Sequence, residues 1–142
     1  MIHLVKLCVG AESIEDLEVW QTLTIQDRRA RGLSANPVHE TRMMPKRAEE
    51  LLDNGSIYWV IKGVILVRQK IVAVNALEDL HGKSFCELVL HPKLVRTEPQ
   101  GRKAFQGWRY LKPEDAPSDI KAGAAADVPA ELSRALRDAG VW

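Results

Sequence analysis

Residues 56–77 read SIYWVIKGVILVRQKIVAVNAL, a segment dense in β-branched and aromatic side chains. Such side chains favour a pleated, half-buried surface, so the segment predicts strands. Gly63 divides it, and the polar run Arg68-Gln69-Lys70 predicts either a hairpin tip or a polar patch within one long bent strand. A turn signal at His81-Gly82-Lys83 and a further strand at residues 85–90 extend the predicted β structure.

The chain on the N-terminal side of this segment predicts two strands and two helices. Residues 2–9 are rich in Val, Leu and Ile, whereas Ser13 followed by Asp16 resembles a capping box at the start of a helix. Gly32 and Asn54-Gly55 are residues typical of helix ends. The predicted elements are a strand at residues 2–9, a helix at 14–31, a strand at 37–44 and a helix at 45–53.

The chain on the C-terminal side predicts a loop, a strand and a separate tail. Residues 91–103 are polar, basic and interrupted by prolines, so they predict a long loop. Residues 105–111 regain strand character. Residues 122–142 combine an Ala-rich linker with a helical pattern, which separates this tail from a single domain at residues 1–121.

The order of these elements predicts the fold class. Short strands separated by turns, with helices at the flanks, indicate an α+β domain built on a small antiparallel sheet or pseudo-barrel. The chain has 142 residues, of which 46% are hydrophobic and 27% charged, and this suffices for one domain with its own core.

Composition and motifs exclude several classes of protein. No apolar run approaches the roughly 20 residues of a membrane helix, and the first apolar segment lacks the features of a signal peptide. Cys8 and Cys86 lie in apolar strand patterns, which predicts two buried thiols in a reduced, cytoplasmic setting. The four histidines are far apart and predict no metal site. Because nucleophile motifs and Gly-rich phosphate loops are missing, neither a reaction nor a cofactor is indicated.

Charge is distributed unevenly along the chain. Residues 37–112 carry 13 Lys and Arg against 8 Asp and Glu, an excess of five positive charges in a chain of net charge +1. Residues 93–112 alone hold six basic residues against the single Glu98. This basic zone favours an anionic partner, although moderate local charge is also common on solvated faces.

Residues 105–110, FQGWRY, form the first candidate binding surface. In a strand, Gln106, Trp108 and Tyr110 point to one side. Arg109 points to the other. An aromatic platform beside cations is the chemistry that recognises unpaired bases. The alternative is a core strand in which Trp108 is buried and Arg109 pairs with a carboxylate.

Three further groups of residues suit an anionic or aromatic ligand. Arg96 lies in a proline-bounded stretch with Arg102 close behind, which suits either phosphate contact or an ordinary solvated loop. Tyr58 and Lys62 share one face of a strand, whereas the tryptophan between them is assigned to the core. Arg42 ends a strand just before a helix, where it either holds an anion or pairs with a nearby glutamate.

Five blocks of the sequence are distinctive. They are HLVKLCVG at residues 3–10, TRM at 41–43, GSIYWVIKG at 55–63, VRTEP at 95–99 and FQGWRYL at 105–111. Together they resemble a bacterial family known as domain of unknown function 1489, over about residues 2–120. A Tyr-Trp strand and the RYLKP segment also resemble PUA-like folds, in particular the EVE branch, which reads modified bases. That resemblance implies a small pseudo-barrel with flanking helices and a cleft for RNA or a flipped modified base.

The sequence therefore predicts a non-catalytic binding domain for nucleic acid, meaning RNA or a modified base, or for a nucleotide-like anionic ligand. Trp108 or Tyr58 is expected to stack on a base, and Gln106 to read its polar edge. The residues expected to hold phosphate are Arg96, Arg102 and Arg109.

Two alternatives belong to other functional classes. One is a small hydrolase in which Arg42, Glu98 and Tyr110 converge on a pocket. The other is an interaction module whose C-terminal helix docks on a partner protein.

Overall fold

A computed structural model describes residues 1–120 of the chain. The predicted linker and C-terminal helix at residues 122–142 lie outside the described residues. The strands are β1 (His3–Leu7), β2 (Val38–Thr41), β3 (Ser56–Ile61), β4 (Val64–Glu78), β5 (Ser84–Leu90), β6 (Val95–Gly101) and β7 (Trp108–Leu111). The helices are α1 (Ile14–Ala30), α2 (Ala48–Leu52) and a 3₁₀ turn (Pro113–Asp115). No helix in this part of the chain is long and apolar enough to cross a membrane.

The strands form one open, mixed sheet, in a sheet-rich fold with few helices. The strand order is β2-β5-β4-β3-β1-β7, and β6 pairs with β4 outside this order. Every pair is antiparallel except β1 with β3. The prediction of a purely antiparallel sheet is wrong for that pair. Since α1, β2 and α2 lie between β1 and β3, the chain crosses over and re-enters the sheet in the same direction.

β4 is the strand on which the two parts of the sheet meet. Its first part, Val64–Lys70, pairs with β3, and its second part, Ile71–Glu78, pairs with β5. The polar run Arg68-Gln69-Lys70 lies at this change of partner. It therefore belongs to one long strand, and the hairpin tip that the sequence left open is not formed.

β6 corrects the prediction of a long loop at residues 91–103. Its two ends pair with β4, as Arg96 with Val67 and Gln100 with Ile65. The pairing shifts register between these points, where the strand contains Pro99. Proline is tolerated where a strand leaves its ladder, because it has no N–H to donate there. The polar composition of residues 95–101 does not indicate a strand, and β6 forms because it pairs with β4.

α1 begins and packs largely as its sequence indicates. Ser13 precedes the helix, and its hydroxyl oxygen accepts a hydrogen bond from the Asp16 N–H at 3.2 Å. The Asp16 carboxylate in turn accepts the backbone N–H of Glu12 at 2.9 Å. In the usual capping box this bond comes from the N-cap residue itself, which here is Ser13. The residues that α1 buries against the sheet are Ile14, Leu17 and Gln21.

Three elements are shorter than predicted. β2 covers only part of residues 37–44, because its pairing with β5 ends at Thr41. α2 covers only part of residues 45–53. β7 begins at Trp108 and not at residue 105, because Gly107, with a φ of 68°, turns the chain just before the strand.

The core lies on both faces of β3, all six residues of which are buried. Ile57 and Trp59 belong to the larger cluster, on the face that α1 covers. Tyr58 and Val60 belong to a smaller cluster on the opposite face, where β7 contributes Leu111. Burial of one large apolar side chain contributes roughly 1.5–3 kcal/mol, so β3 anchors the whole sheet.

Candidate functional site

A cavity of about 300 Å³ lies between the N-terminal half of α1 and the sheet. The loop after β1 closes one side of it, and β2 and β3 contribute the others. The residues that line the cavity are Cys8, Val9, Gly10, Ala11, Asp16, Leu17, Trp20, His39 and Trp59. We call this space the aromatic cavity.

Three aromatic rings from three different elements form its walls. The His39 ring lies edge-on to the Trp59 ring, with centroids 5.1 Å apart and planes at 88°. It lies edge-on to Trp20 as well, at 6.3 Å and 72°. Trp59 is 2% exposed, whereas Trp20 is 37% exposed. Trp59 is therefore an inner wall of the cavity, and Trp20 stands at its mouth.

A buried hydrogen-bond network fixes the Trp59 ring. Its indole N–H donates to the Gln69 side-chain oxygen at 3.0 Å. The Gln69 amide donates to the Gln21 side-chain oxygen at 2.5 Å and to the His91 carbonyl at 3.0 Å. The Gln21 amide donates to the carbonyl of Pro92. α1, β3, β4 and the chain that leads into β6 are thereby joined beneath the cavity.

We expect Gln69→Met to destabilise the protein by about 1–3 kcal/mol, because the Trp59 N–H and the Gln21 side-chain oxygen lose a buried partner with little change of side-chain volume. Urea unfolding gives the free energy of unfolding. Gln26→Met is the matched control, since Gln26 is exposed on α1. Equal stability of the two variants would mean that the network contributes nothing.

The aromatic cavity carries little charge of its own. Burial lowers the pKa of His39 to about 4, and the positive charge of Lys6 acts in the same direction. Burial raises the pKa of the Cys8 thiol to about 11. Both groups are therefore neutral near pH 7. The Asp16 carboxylate is the remaining ionisable group in the wall, and it forms no ion pair with the described residues.

The Nε2 atom of His39 is buried and has no hydrogen-bond partner among residues 1–120. A buried polar atom without a partner is unfavourable by about 1–3 kcal/mol. Its neighbours across the rings are the apolar faces and edges of Trp20 and Trp59. The same part of the chain contains no group of three His, Cys, Asp or Glu side chains arranged to hold a metal ion.

Two of the predicted ligand-binding cations, Lys62 and Arg96, lie beside the first turn of α1. The Lys62 Nζ atom is 3.8 Å from a Glu12 carboxylate oxygen, and an Arg96 Nη atom is 3.9 Å from a Glu15 oxygen. Exposed pairs at such distances contribute little to stability, so both cations are free to exchange partners. Their partners, Glu12 and Glu15, precede the cavity-lining Asp16 in the sequence.

The aromatic residues predicted to stack on a base are buried instead. Trp108 is 5% exposed, and its indole N–H donates to the Met43 carbonyl at 2.8 Å. Tyr58 is 4% exposed and lies edge-on to His3, with ring centroids 5.0 Å apart. Neither ring offers a free face to a ligand. For Trp108 this agrees with the alternative of a core strand.

The remaining residues of the 105–110 segment lie near one another but not at the aromatic cavity. The Arg109 guanidinium donates to the carbonyls of Gln106 at 2.8 Å and of Trp108 at 3.0 Å, and it lies over the Phe105 ring. Gln106 itself is exposed. Arg102 is held through its backbone, whose N–H donates to the Gly63 carbonyl at 2.7 Å.

The residues of the hydrolase alternative have separate surroundings. Arg42 lines an open surface depression with Glu78 and Asp79. The Tyr110 hydroxyl accepts the backbone N–H of Arg47 at 3.1 Å. Glu98 lies at an exposed position on β6. Its backbone N–H donates to the carbonyl of Ser118. No hydrogen bond or ion pair within residues 1–120 joins the three side chains.

Sequence reasoning missed Trp20 and His39 as site residues and assigned Trp59 to the core alone. A weak signal was present, because Trp20 directly precedes Gln21 and so lies at the edge of the buried stripe of α1. An aromatic residue at such an edge is partly exposed and able to line a cavity. Its approach to His39 depends on how β2 lies against α1, which no local pattern records.

The fold and the site define this chain as a small, sheet-rich domain with an aromatic cavity between its long helix and its sheet. It belongs to the family described as Protein of unknown function (DUF1489), whose sequence model matches residues 4–142. The resemblance to this family is thereby confirmed, and the match extends beyond the expected residues 2–120 to the end of the tail. No curated protein and no solved structure matches the chain.

Proposed function

We propose that this protein is a non-catalytic binding domain that takes one unpaired base of a nucleic acid, foremost RNA, or the base of a nucleotide-like ligand, into the aromatic cavity. The observation that carries the proposal is the set of three aromatic rings around one small space. Bases are recognised outside a duplex by aromatic side chains, since every base offers a π-face.

The size of the cavity supports a single ring system. Its volume of about 300 Å³ is at the lower end of the range for ligand pockets. A base fits such a space, whereas its ribose and phosphate remain outside. Lys62 and Arg96 pair with Glu12 and Glu15 at the start of α1. They are the proposed phosphate contacts, which position a strand without reading its sequence.

The proposal keeps the class of ligand expected from the sequence and changes the residues that bind it. Trp20 takes the stacking role that was expected of Trp108 and Tyr58, and the buried Trp59 forms the inner wall of the space. The likeness to PUA-like folds belongs to this proposal, because those folds bind a base in a cleft between a sheet and a loop. Here the corresponding space lies between the sheet, α1 and the loop at residues 8–11.

The binding role is favoured over the hydrolase alternative. Catalysis requires groups that act on one reacting atom, and the three residues of that alternative have separate contacts. The interaction module depends on a helix outside the described residues.

Trp20→Ala is expected to weaken binding of a single-stranded RNA by about 5- to 150-fold, because one stacked base contributes about 1–3 kcal/mol. The measurement is fluorescence anisotropy of a labelled RNA at low ionic strength. Trp20 is partly exposed, so the fold should tolerate the change. Leu23→Ala is the control, since Leu23 is 61% exposed on the same helix.

Two results would contradict the proposal. The first is a native protein that binds no single-stranded RNA or DNA at low salt. The second is an equal loss of binding in Trp20→Ala and Leu23→Ala, which would attribute the effect to the surface of α1 and not to the cavity.

A further inference from the structure

Lys6 lies beside the aromatic cavity, on the face of the sheet that α1 covers. It is two residues from Cys8, which lines the cavity, so the two side chains point to the same side of the chain. Its partner across the β1–β3 pair is Trp59, the inner wall. After burial, its positive charge is the largest influence on the pKa of His39 and on that of Cys8. The ammonium group is therefore close to the cavity, although Lys6 is not part of the wall.

The Lys6 ammonium group has no negative partner among residues 1–120. It takes part in none of the ion pairs of this part of the chain. The side chain is half-buried, and burial lowers its pKa without an opposing effect from any carboxylate in the same residues. A cation that is withdrawn from water without a partner is unfavourable. Such a residue beside a cavity is typical of a site that is completed by the anionic group of a ligand.

Lys6 differs from the other cations on this side of the molecule. Lys62 and Arg96 are each paired with a carboxylate at the start of α1, and a phosphate has to compete with that carboxylate. Lys6 requires no such exchange. The Asp16 carboxylate lines the cavity, but it is exposed, and solvent screens an exposed charge more strongly than a half-buried one. An anion at Lys6 is therefore favoured.

Resting on the proposed function, we infer that Lys6 is the anion-binding residue of the aromatic cavity, where it holds the phosphate next to the base that enters the cavity. A phosphate is separated from its base by a single ribose, so both groups can be bound at once. The base lies against Trp20, and the ligand is a phosphodiester strand and not an isolated base or nucleoside.

The stability of the protein without RNA gives the first test. A residue that is kept for binding is not expected to stabilise the fold. Lys6→Met retains an unbranched side chain and removes the unpaired charge. We expect this variant to unfold at the same urea concentration as the native protein or at a higher one. Lys83→Met is the matched control, because Lys83 is exposed in the β4–β5 turn.

The salt dependence of RNA affinity gives the second test. Each phosphate contact of a single strand contributes about 0.7 to the slope of log affinity against log salt concentration. We expect Lys6→Met to reduce this slope by about 0.7, and to weaken binding at low salt by about 10-fold. Lys83→Met should change neither quantity. Fluorescence anisotropy of a labelled single-stranded RNA, at several concentrations of potassium chloride, measures both.

A double variant tests whether Lys6 acts at the aromatic cavity. If Trp20 and Lys6 contact the base and the phosphate of one nucleotide, loss of the base contact also displaces the phosphate. Lys6→Met should therefore weaken binding by a smaller factor in the Trp20→Ala protein than in the native protein. The same factor in both proteins would mean that Lys6 contacts RNA elsewhere, and would overturn the inference.

The remaining outcomes separate the inference from the proposed function. An unchanged salt slope in Lys6→Met, with Trp20→Ala still weakening binding, would overturn the inference and leave the proposed function standing. A fall of both the urea midpoint and the RNA affinity in Lys6→Met would assign the residue to the fold, which also overturns the inference. A native protein that binds no single-stranded RNA or DNA would contradict both.

Discussion

Gly55→Ala is expected to destabilise the protein by at least about 3 kcal/mol, because the added methyl group has no space in the fold. A Cβ atom at this position would lie 2.2 Å from the Leu51 carbonyl oxygen and 2.4 Å from the Ile2 carbonyl oxygen. Both atoms are backbone, so neither moves aside by a change of rotamer. The Gly55 N–H also donates to the Leu51 carbonyl at 2.9 Å, which ends α2.

The consequence of this clash extends beyond one turn. The Ile2 N–H donates to the Glu50 carbonyl at 3.2 Å, and the Ile71 N–H donates to the Gly55 carbonyl at 3.0 Å. Gly55 therefore lies where the start of β1, the end of α2 and the middle of β4 meet. Separating these backbones by even one methyl group disturbs β1 and β3, which are parallel neighbours in the sheet.

The experiment compares Gly55→Ala with Gly82→Ala by urea unfolding. Gly82 has a φ of 76° and nothing within 4 Å of a Cβ atom, so alanine there meets backbone strain alone, about 1–2 kcal/mol. Glycine is thus needed at residue 55 for lack of space and at residue 82 for its positive φ. If Gly55→Ala were as stable as Gly82→Ala, the Leu51 and Ile2 carbonyl oxygens could not lie this close to residue 55.

The sequence predicted those elements that local composition determines. Residues 56–77 are β-branched and aromatic throughout, and both β3 and β4 form there. Ser13 predicted the start of α1 because a cap acts within a few residues. The direction of β1 and the existence of β6 depend on strands far away in the chain, and no local pattern contains that information.

The candidate site was predictable to a smaller extent. Lys62 and Arg96 were candidate ligand-binding cations in the sequence, and both pair with carboxylates at the start of α1. Trp59 was correctly assigned to the core, yet one part of its ring also lines the cavity. A cavity is a space that several elements leave between them. Trp20 and His39, from α1 and β2, meet there only after the sheet has formed.

The His39 environment gives the stability of the protein a specific pH dependence. Its pKa is lowered from 6.5 to about 4 in the folded state, first by burial and then by Lys6. A histidine of this kind binds a proton more readily in the unfolded chain. Its contribution to stability is fully present above pH 6.5 and is lost as the pH falls from there towards 4. We expect this residue to remove about 2 kcal/mol of unfolding free energy between pH 7 and pH 5.

His39→Gln should remove that part of the slope, and urea unfolding at the two pH values measures it. Some dependence remains in the variant, since burial also lowers the pKa of His3. His81→Gln is the control, because His81 is exposed in the β4–β5 turn. An unchanged slope in His39→Gln would mean that His39 takes up its proton in the folded state.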